Sequence, residues 1–376
     1  MDFYAMKLIA KTFAGLEEVL ADEIRNIGGE EVIVVKRGVS FDGDMRVLYR
    51  ANLECRTALR ILKPIHAFSA RNEAELYRKM QEIEWWRLFD LRQTFAVDAV
   101  VRSSIFTHSH FVGLKTKDAI VDQFRDKMNR RPSVSVEKPD CRINVHIHEE
   151  MVSVSLDASG ESLHRRGYRG SSVEAPLNEV LAAGIVNLSG FDGSTDFADM
   201  MCGSGTLLTE AALVASHKTP QYRRSYFCFK KWLDFDQQLF DEIEAAQRAQ
   251  LIDFQCKIFG SDIDARAIKV AERNIDSAGF KTKIRLQRAD FFNRQPPSET
   301  GILMLNPPYD ERLALDDAVA FYQQIGDTLK RQWTGWTAWV LSGNLEAAKF
   351  IGLRPRRKIH LFNGAIECRL LKFELY

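Results

Sequence analysis

The feature that most limits what this chain can fold into is the rhythm that begins at Leu177. Short apolar stretches of strand length (196–199, 256–261, 283–288, 301–305 and 337–341) alternate with helical patterns (206–216, 236–251, 265–278 and 317–331). Strands separated by helices pair in parallel through right-handed crossovers, so this half predicts an α/β fold with a mostly parallel, doubly wound sheet. A helix over 177–188 opens the region after Ala175-Pro176, and two extended segments, 358–362 and 368–375, are placed to close the sheet as an antiparallel edge pair.

The first 160 or so residues follow a different pattern. Strands at 7–10, 31–35 and 38–41 with helical patterns at 16–27 and 46–59 predict a small α+β unit over 1–63. A helix at 73–83, a strand at 94–101, a helix at 113–128 and a hairpin made from 142–148 and 151–157 predict a second unit over 64–162. Residues 163–176, rich in arginine and glycine, read as the connection to a third domain over 177–376. With 45% hydrophobic residues over 376 positions, the chain can bury a real core and is not intrinsically disordered.

No apolar run approaches the roughly 18 residues of a membrane span, and the start, Met1-Asp2-Phe3-Tyr4-Ala5-Met6-Lys7, lacks a signal-peptide core. A cytoplasmic protein without membrane attachment is expected. Six cysteines lie at scattered positions with no C-x-x-C pair, which predicts reduced thiols and no metal site. The net charge is +1, and residues 1–170 carry 27 Lys/Arg against 25 Asp/Glu. A nucleic-acid partner would have to be met by local patches, since there is no overall basic field.

The chemistry-bearing residues cluster at strand ends. Phe197-Ala198-Asp199 runs into Met200-Met201-Cys202-Gly203-Ser204-Gly205-Thr206, a glycine turn that opens a helix. Gly203 and Gly205 allow a sharp turn and close approach to a ligand, and the helix start behind them presents free N–H groups; a plain tight turn is the alternative. Asp262 follows the next strand and Asp290 the one after, at the crevice where such sheets bind ligands; helix capping is the alternative for both. Gly205 and Asp262 are 57 residues apart, against about 20 in a dinucleotide motif, so 217–252 is an insertion. After the fourth strand comes Asn306-Pro307-Pro308-Tyr309. The prolines fix an extended turn, so the Asn306 amide and the Pro307 carbonyl can converge on an exocyclic amine while the Tyr309 ring stacks on a flat base.

On these residues the chain resembles a known family. Residues 177–376 look like a class I S-adenosylmethionine-dependent methyltransferase of the amino-methylating group, a Rossmann-like domain whose signature stands intact at 306–309. Residues 64–162 resemble a THUMP RNA-binding domain, and 1–63 the ferredoxin-like unit that accompanies it. Leu163-His164-Arg165-Arg166-Gly167-Tyr168-Arg169, Ala175-Pro176-Leu177 and 201–206 are similar to the amino-terminal half of the bacterial 23S rRNA guanine-N2 methyltransferase. Asp199-Met200 departs from the usual Asp-Pro, and the longer enzyme's second methyltransferase half has no counterpart, so dual activity is not implied.

The resemblance implies S-adenosylmethionine as cofactor, with Asp199, Gly203 and Gly205 at its methionine end, Asp262 at the ribose and Asp290 at the adenine. It also implies that Asn306, Pro307 and Tyr309 hold a target base flipped from its stack. The implied partner is RNA, 23S rRNA or a large-subunit precursor, with no metal and no obligate protein partner. The implied reaction is methylation of guanine N2. The alternatives are N6-adenine methylation of RNA or DNA, and a non-catalytic RNA-binding assembly factor. RNA contacts are expected at Arg165, Arg166 and Arg169, and at Arg223, Arg224, Lys230 and Lys231, which lie in a stretch with five basic and five aromatic side chains over 217–232. The alternative for that stretch is a partly buried loop whose rings are core.

Overall fold

The computed structural model describes residues 5–170, 177–308 and 315–376. The N-terminal half holds β1 (Met6–Lys11), α1 (Glu17–Asn26), β2 (Glu30–Val35), β3 (Gly38–Gly43), α2 (Met45–Glu54), β4 (Arg60–Ser69), α3 (Glu73–Gln81), β5 (Thr94–Arg102), α4 (Ser109–Met128), β6 (Ser133–Val134), β7 (Cys141–His148) and β8 (Met151–Asp157). These strands form one eight-stranded sheet in the order β2-β3-β1-β4-β8-β7-β5-β6.

The strand β4 lies across the expected 63/64 boundary. It pairs with β1 on one side and β8 on the other, so the ferredoxin-like and THUMP units share one ladder. Sequence patterning carries α2 to Leu59 and assigns no strand to 60–69, whereas the helix ends at Glu54 and Cys55 turns extended. Pro64 obscures the strand. Its missing N–H is tolerated because the register with β8 shifts between Pro64 and His66. Asp44 and Asn72 start α2 and α3 by accepting from the Val47 and Glu75 amides, both at 2.9 Å.

The C-terminal half holds α5 (Glu179–Leu188), β9 (Phe197–Asp199), α6 (Thr206–Ala215), α7 (Gln237–Ala249), β10 (Ile258–Asp262), α8 (Ala265–Ser277), β11 (Ile284–Arg288), β12 (Gly301–Leu305), α9 (Leu315–Gln332), β13 (Trp336–Ser342), β14 (Arg357–Asn363) and β15 (Ile366–Glu374). The sheet order is β11-β10-β9-β12-β13-β15-β14. The first five strands run parallel and β15 is antiparallel to its neighbours, a doubly wound α/β sheet with the expected edge pair. The basic run at Arg356, Arg357 and Lys358 lies where β14 begins, beside Lys372 and the start of β13. It is therefore at the opposite end of the sheet from the loops that follow β9 and β12.

The two halves share their cores. Leu16 is buried among Val180, Phe197 and Leu361 of the C-terminal half, with Phe13 and Leu59 packed beside it. In the other direction Phe227, Phe229, Trp232, Phe240 and Ile243 of the 217–252 insertion are buried in the N-terminal core. The Phe229 ring stacks on Tyr49 with centroids 4.8 Å apart. The connection is likewise part of the packing: Leu163 and Tyr168 are buried, while 171–176 lie outside the described residues. Among the described residues no helix is long and apolar enough to cross a membrane, and no group of three His, Cys, Asp or Glu could hold a metal ion.

Candidate active site

The strands β9, β10, β11 and β12 end on the same side of the sheet, and the residues that follow them meet there. Asp199 ends β9 between Gly260 and Met304. The chain then turns through Gly203 at φ +52° and Gly205 at φ +76°, values that side-chain-bearing residues seldom adopt. A Cβ on Gly205 would stand 3.1 Å from the Ala271 methyl, so this glycine lets α6 start against α8. A Cβ on Gly203 would meet nothing within 4 Å, because that residue faces open space.

The open space is a cavity of about 410 Å³ lined by Asp199, Gly203, Asp262, Asp290 and Asn306. Apolar walls come from Ile263, Phe291, Phe292, Pro308 and Phe321. Five of the expected site residues are therefore brought together. Gly205 sits at the helix start, Pro307 is buried in the turn, and Tyr309 lies outside the described residues.

The two acidic loop ends are tied down differently. The Asp262 carboxylate accepts from the Gly203 amide and from the Asp264 amide, both at 2.9 Å, so it fixes the glycine turn while facing the cavity. Asp290 accepts from the Phe292 amide and the Asn293 side chain, both at 3.1 Å. It is thus a cap as well as a lining group.

Asp199 is 1% exposed and accepts one amide hydrogen bond, from Met201 at 3.3 Å. Burial pushes its carboxyl up to about 8; the Met201 amide opposes this and the neighbouring Asp262 charge adds to it. A cation entering the cavity relieves that cost. The ordered set is a buried carboxylate, a carboxylate beside an open glycine turn, and paired phenylalanines. It suits a ligand with an ammonium group, vicinal hydroxyls and a flat ring.

Ser204, Thr206, Leu207, Phe292 and Phe321 also line the cavity and were not singled out from sequence. Phe292 stands two residues after Asp290 in sequence. Phe321 reaches the site only through the packing of α9, with its ring edge-on to Phe292 at 5.4 Å.

Two of the expected RNA contacts are corrected by burial. Arg166 is 1% exposed: it donates to the Leu163 carbonyl at 2.8 Å and to the Arg56 carbonyl, and faces Glu210 at 3.6 Å. Arg224 spends its guanidinium on the carbonyls of Tyr226, Ser162, Ser159 and Glu161, all within 3.1 Å, and burial lowers it to about 10. Arg166 is an internal brace, and Arg224 is a half-buried one whose guanidinium is engaged by backbone carbonyls. Arg169 is mostly buried and turned toward Leu177 and Thr206. Lys230 lies 3.9 Å over the Phe240 ring.

Arg165, Arg223 and Lys231 are exposed, although Arg223 also donates to the Ser277 carbonyl. The aromatic residues Phe227, Phe229 and Trp232 are core, so they offer no faces to RNA bases.

Comparison with known proteins adds the family. A model of the RMKL-like methyltransferase domain matches residues 166–372, over half of the chain. The chain belongs to the RMKL-like methyltransferase family. A THUMP-domain model matches 70–157 and an RlmL ferredoxin-like model matches 7–62. The RMKL-like domain match begins at Arg166, which faces Glu210, two residues before Tyr168 of the C-terminal core.

A Synechocystis sp. protein, provisionally named an RNA methyltransferase, is 41% identical over 364 residues, 96% of this chain and 95% of its own length. The ribosomal RNA large subunit methyltransferase K/L of Syntrophotalea carbinolica is 41% identical over 383 residues, 98% of this chain and 54% of its own length. The chain thus spans about half of that RMKL-like relative. Among solved structures, a provisionally named methyltransferase complexed with SAH superposes with a TM-score of 0.89 at 29% identity, over 99% of this chain and 98% of that one.

Proposed function

We propose that this chain is a cytoplasmic S-adenosylmethionine-dependent RNA methyltransferase that methylates the exocyclic N2 of a guanine in 23S rRNA or its large-subunit precursor. The observation that carries the reading is the convergence of Asp199, Gly203, Asp262, Asp290 and Asn306 on one cavity, in a chain that also carries a THUMP domain. Family membership and the SAH-bound neighbour support the donor. The K/L relatives' names support ribosomal RNA.

The residues present fit S-adenosylmethionine: the buried Asp199 carboxyl, raised by desolvation, gains from an ammonium group, and the reading assigns Asp262 to the ribose and Asp290 with Phe291 to the adenine. When bound, the cofactor supplies an activated methyl group to an amine held in line with it. The chain's own work is positioning, the largest source of rate when two partners must meet in one geometry. The Asn306 side-chain oxygen and the Pro307 carbonyl are the acceptors that would orient the amine, and the proton is released to solvent. The Pro307-Pro308 pair keeps that turn extended. Phe321 and Pro308 add apolar wall to the cavity.

The test is mass spectrometry of nucleosides from rRNA of a strain lacking the gene, complemented with wild type or with Asn306→Ala. Wild type restores one N2-methylguanosine and the variant does not. A missing N6-methyladenosine would move the reaction to adenine, and an unchanged rRNA profile would sink the rRNA assignment. A variant that restored the mark fully would overturn the role of Asn306.

A further inference from the structure

We propose that Arg169 is a positioning residue of the donor pocket, a clamp that holds two of its walls at the spacing S-adenosylmethionine needs. The inference rests on the cofactor reading above. The Arg169 side chain is 19% exposed, and one terminal nitrogen donates to the Leu177 carbonyl at 2.8 Å and to the Thr206 hydroxyl at 2.9 Å. Leu177 and Thr206 both line the cavity, whereas Arg169 does not. Leu177 leads into α5 and Thr206 is the first residue of α6, so a single guanidinium ties the approach of one helix to the start of the next.

The connection continues into the glycine turn. The Thr206 hydroxyl lies 3.1 Å from that of Ser204, and the Ser204 carbonyl accepts from Asn274 of α8 at 3.1 Å. The same guanidinium faces Glu179, in the first turn of α5, at 3.4 Å. That separation is long for a hydrogen bond, and among the described residues both Arg169 Nε and Glu179 Oε2 are buried without a hydrogen-bond partner. The well-formed bonds of Arg169 are therefore those to the pocket walls. Arginine suits the task because its planar fork serves a carbonyl, a hydroxyl and a carboxylate together, which a lysine ammonium on a flexible stem does not.

The test uses the full chain, with S-adenosylhomocysteine binding read by calorimetry, RNA binding by filter retention and stability by thermal unfolding. Arg169→Lys and Thr206→Val each weaken S-adenosylhomocysteine about tenfold, the scale of one charge-assisted hydrogen bond. The double variant is no weaker than either single one, and Thr206→Ser, which keeps the hydroxyl, binds like wild type. RNA affinity changes by less than about twofold, since no phosphate contact is lost.

Thr206→Val leaves the charge of Arg169 beside Glu179, so it reports on the clamp without stripping a buried carboxylate of its partner. Wild-type S-adenosylhomocysteine affinity in both variants would overturn the clamp alone. A loss confined to RNA binding in Arg169→Lys would return this residue to the RNA-contact role suggested by its sequence neighbourhood. A wild-type chain that bound no S-adenosylhomocysteine would overturn the cofactor reading and the clamp with it.

Discussion

Arg165 and Arg166 are adjacent in sequence and opposite in environment. Arg165 is 67% exposed beside Glu161, and Arg166 is fully enclosed with Glu210. Removing one partner of a buried pair strands the other charge, so Arg166→Ala is expected to cost about 3–5 kcal/mol in urea unfolding. Arg165→Ala should change stability by less than about 1 kcal/mol, because an exposed pair is screened and mobile. Equal effects would show that Glu210 finds other compensation.

Asp199 carries a second prediction at this scale. Its folded carboxyl titrates near 8, while the unfolded one releases its proton near 3.9. The folded state holds the extra proton between those values, so the stability this group contributes is present below about pH 4 and is lost as pH rises through 8. The unliganded Asp199→Asn variant should melt a few degrees above unliganded wild type at pH 8, with the gap closing toward pH 4, and should bind S-adenosylmethionine more weakly. A melting difference independent of pH would refute the assignment.

At the scale of elements, the 217–252 insertion is a strap from the catalytic half into the N-terminal core. Truncating Phe229 to alanine should cost about 3–5 kcal/mol and raise amide exchange in α2, whose Tyr49 it stacks on, with RNA affinity little changed. Unchanged exchange in α2 would mean the strap is not structural. The ends of β9, β10 and β12 are legible in sequence because an apolar run stopping at Asp199, Asp262 or Asn306 marks a strand terminus directly. The strand β4 is not, because Pro64 disguises it and only its pairing with β1 and β8 reveals it. The fate of the basic residues is equally hidden: nothing local distinguishes Arg223, at the surface, from Arg224, which besides Tyr226 engages Ser159, Glu161 and Ser162, all over 60 residues away. Phe321 is invisible for the same reason, since a helical aromatic is most often core.

At the scale of the molecule, the N-terminal and catalytic halves are folded as one object. Leu16 fills a place in the catalytic core so tightly that a Cβ on Gly184 would lie 2.5 Å from it. The fragment 177–376 should therefore lack a cooperative thermal transition and bind a hydrophobic dye, whereas the full chain should unfold in one step. A fragment melting sharply on its own would show that Leu16, Phe13 and Leu59 are dispensable to that core.

The strap also imposes an order on synthesis. The N-terminal sheet is complete once β8 has been made, yet its core still awaits Phe227, Phe229, Trp232, Phe240 and Ile243. At ordinary rates of elongation the ribosome needs roughly 5–15 s to deliver them. During that interval Tyr49 and its neighbours are an open socket on a nascent chain, an apolar surface of the kind that chaperones cover.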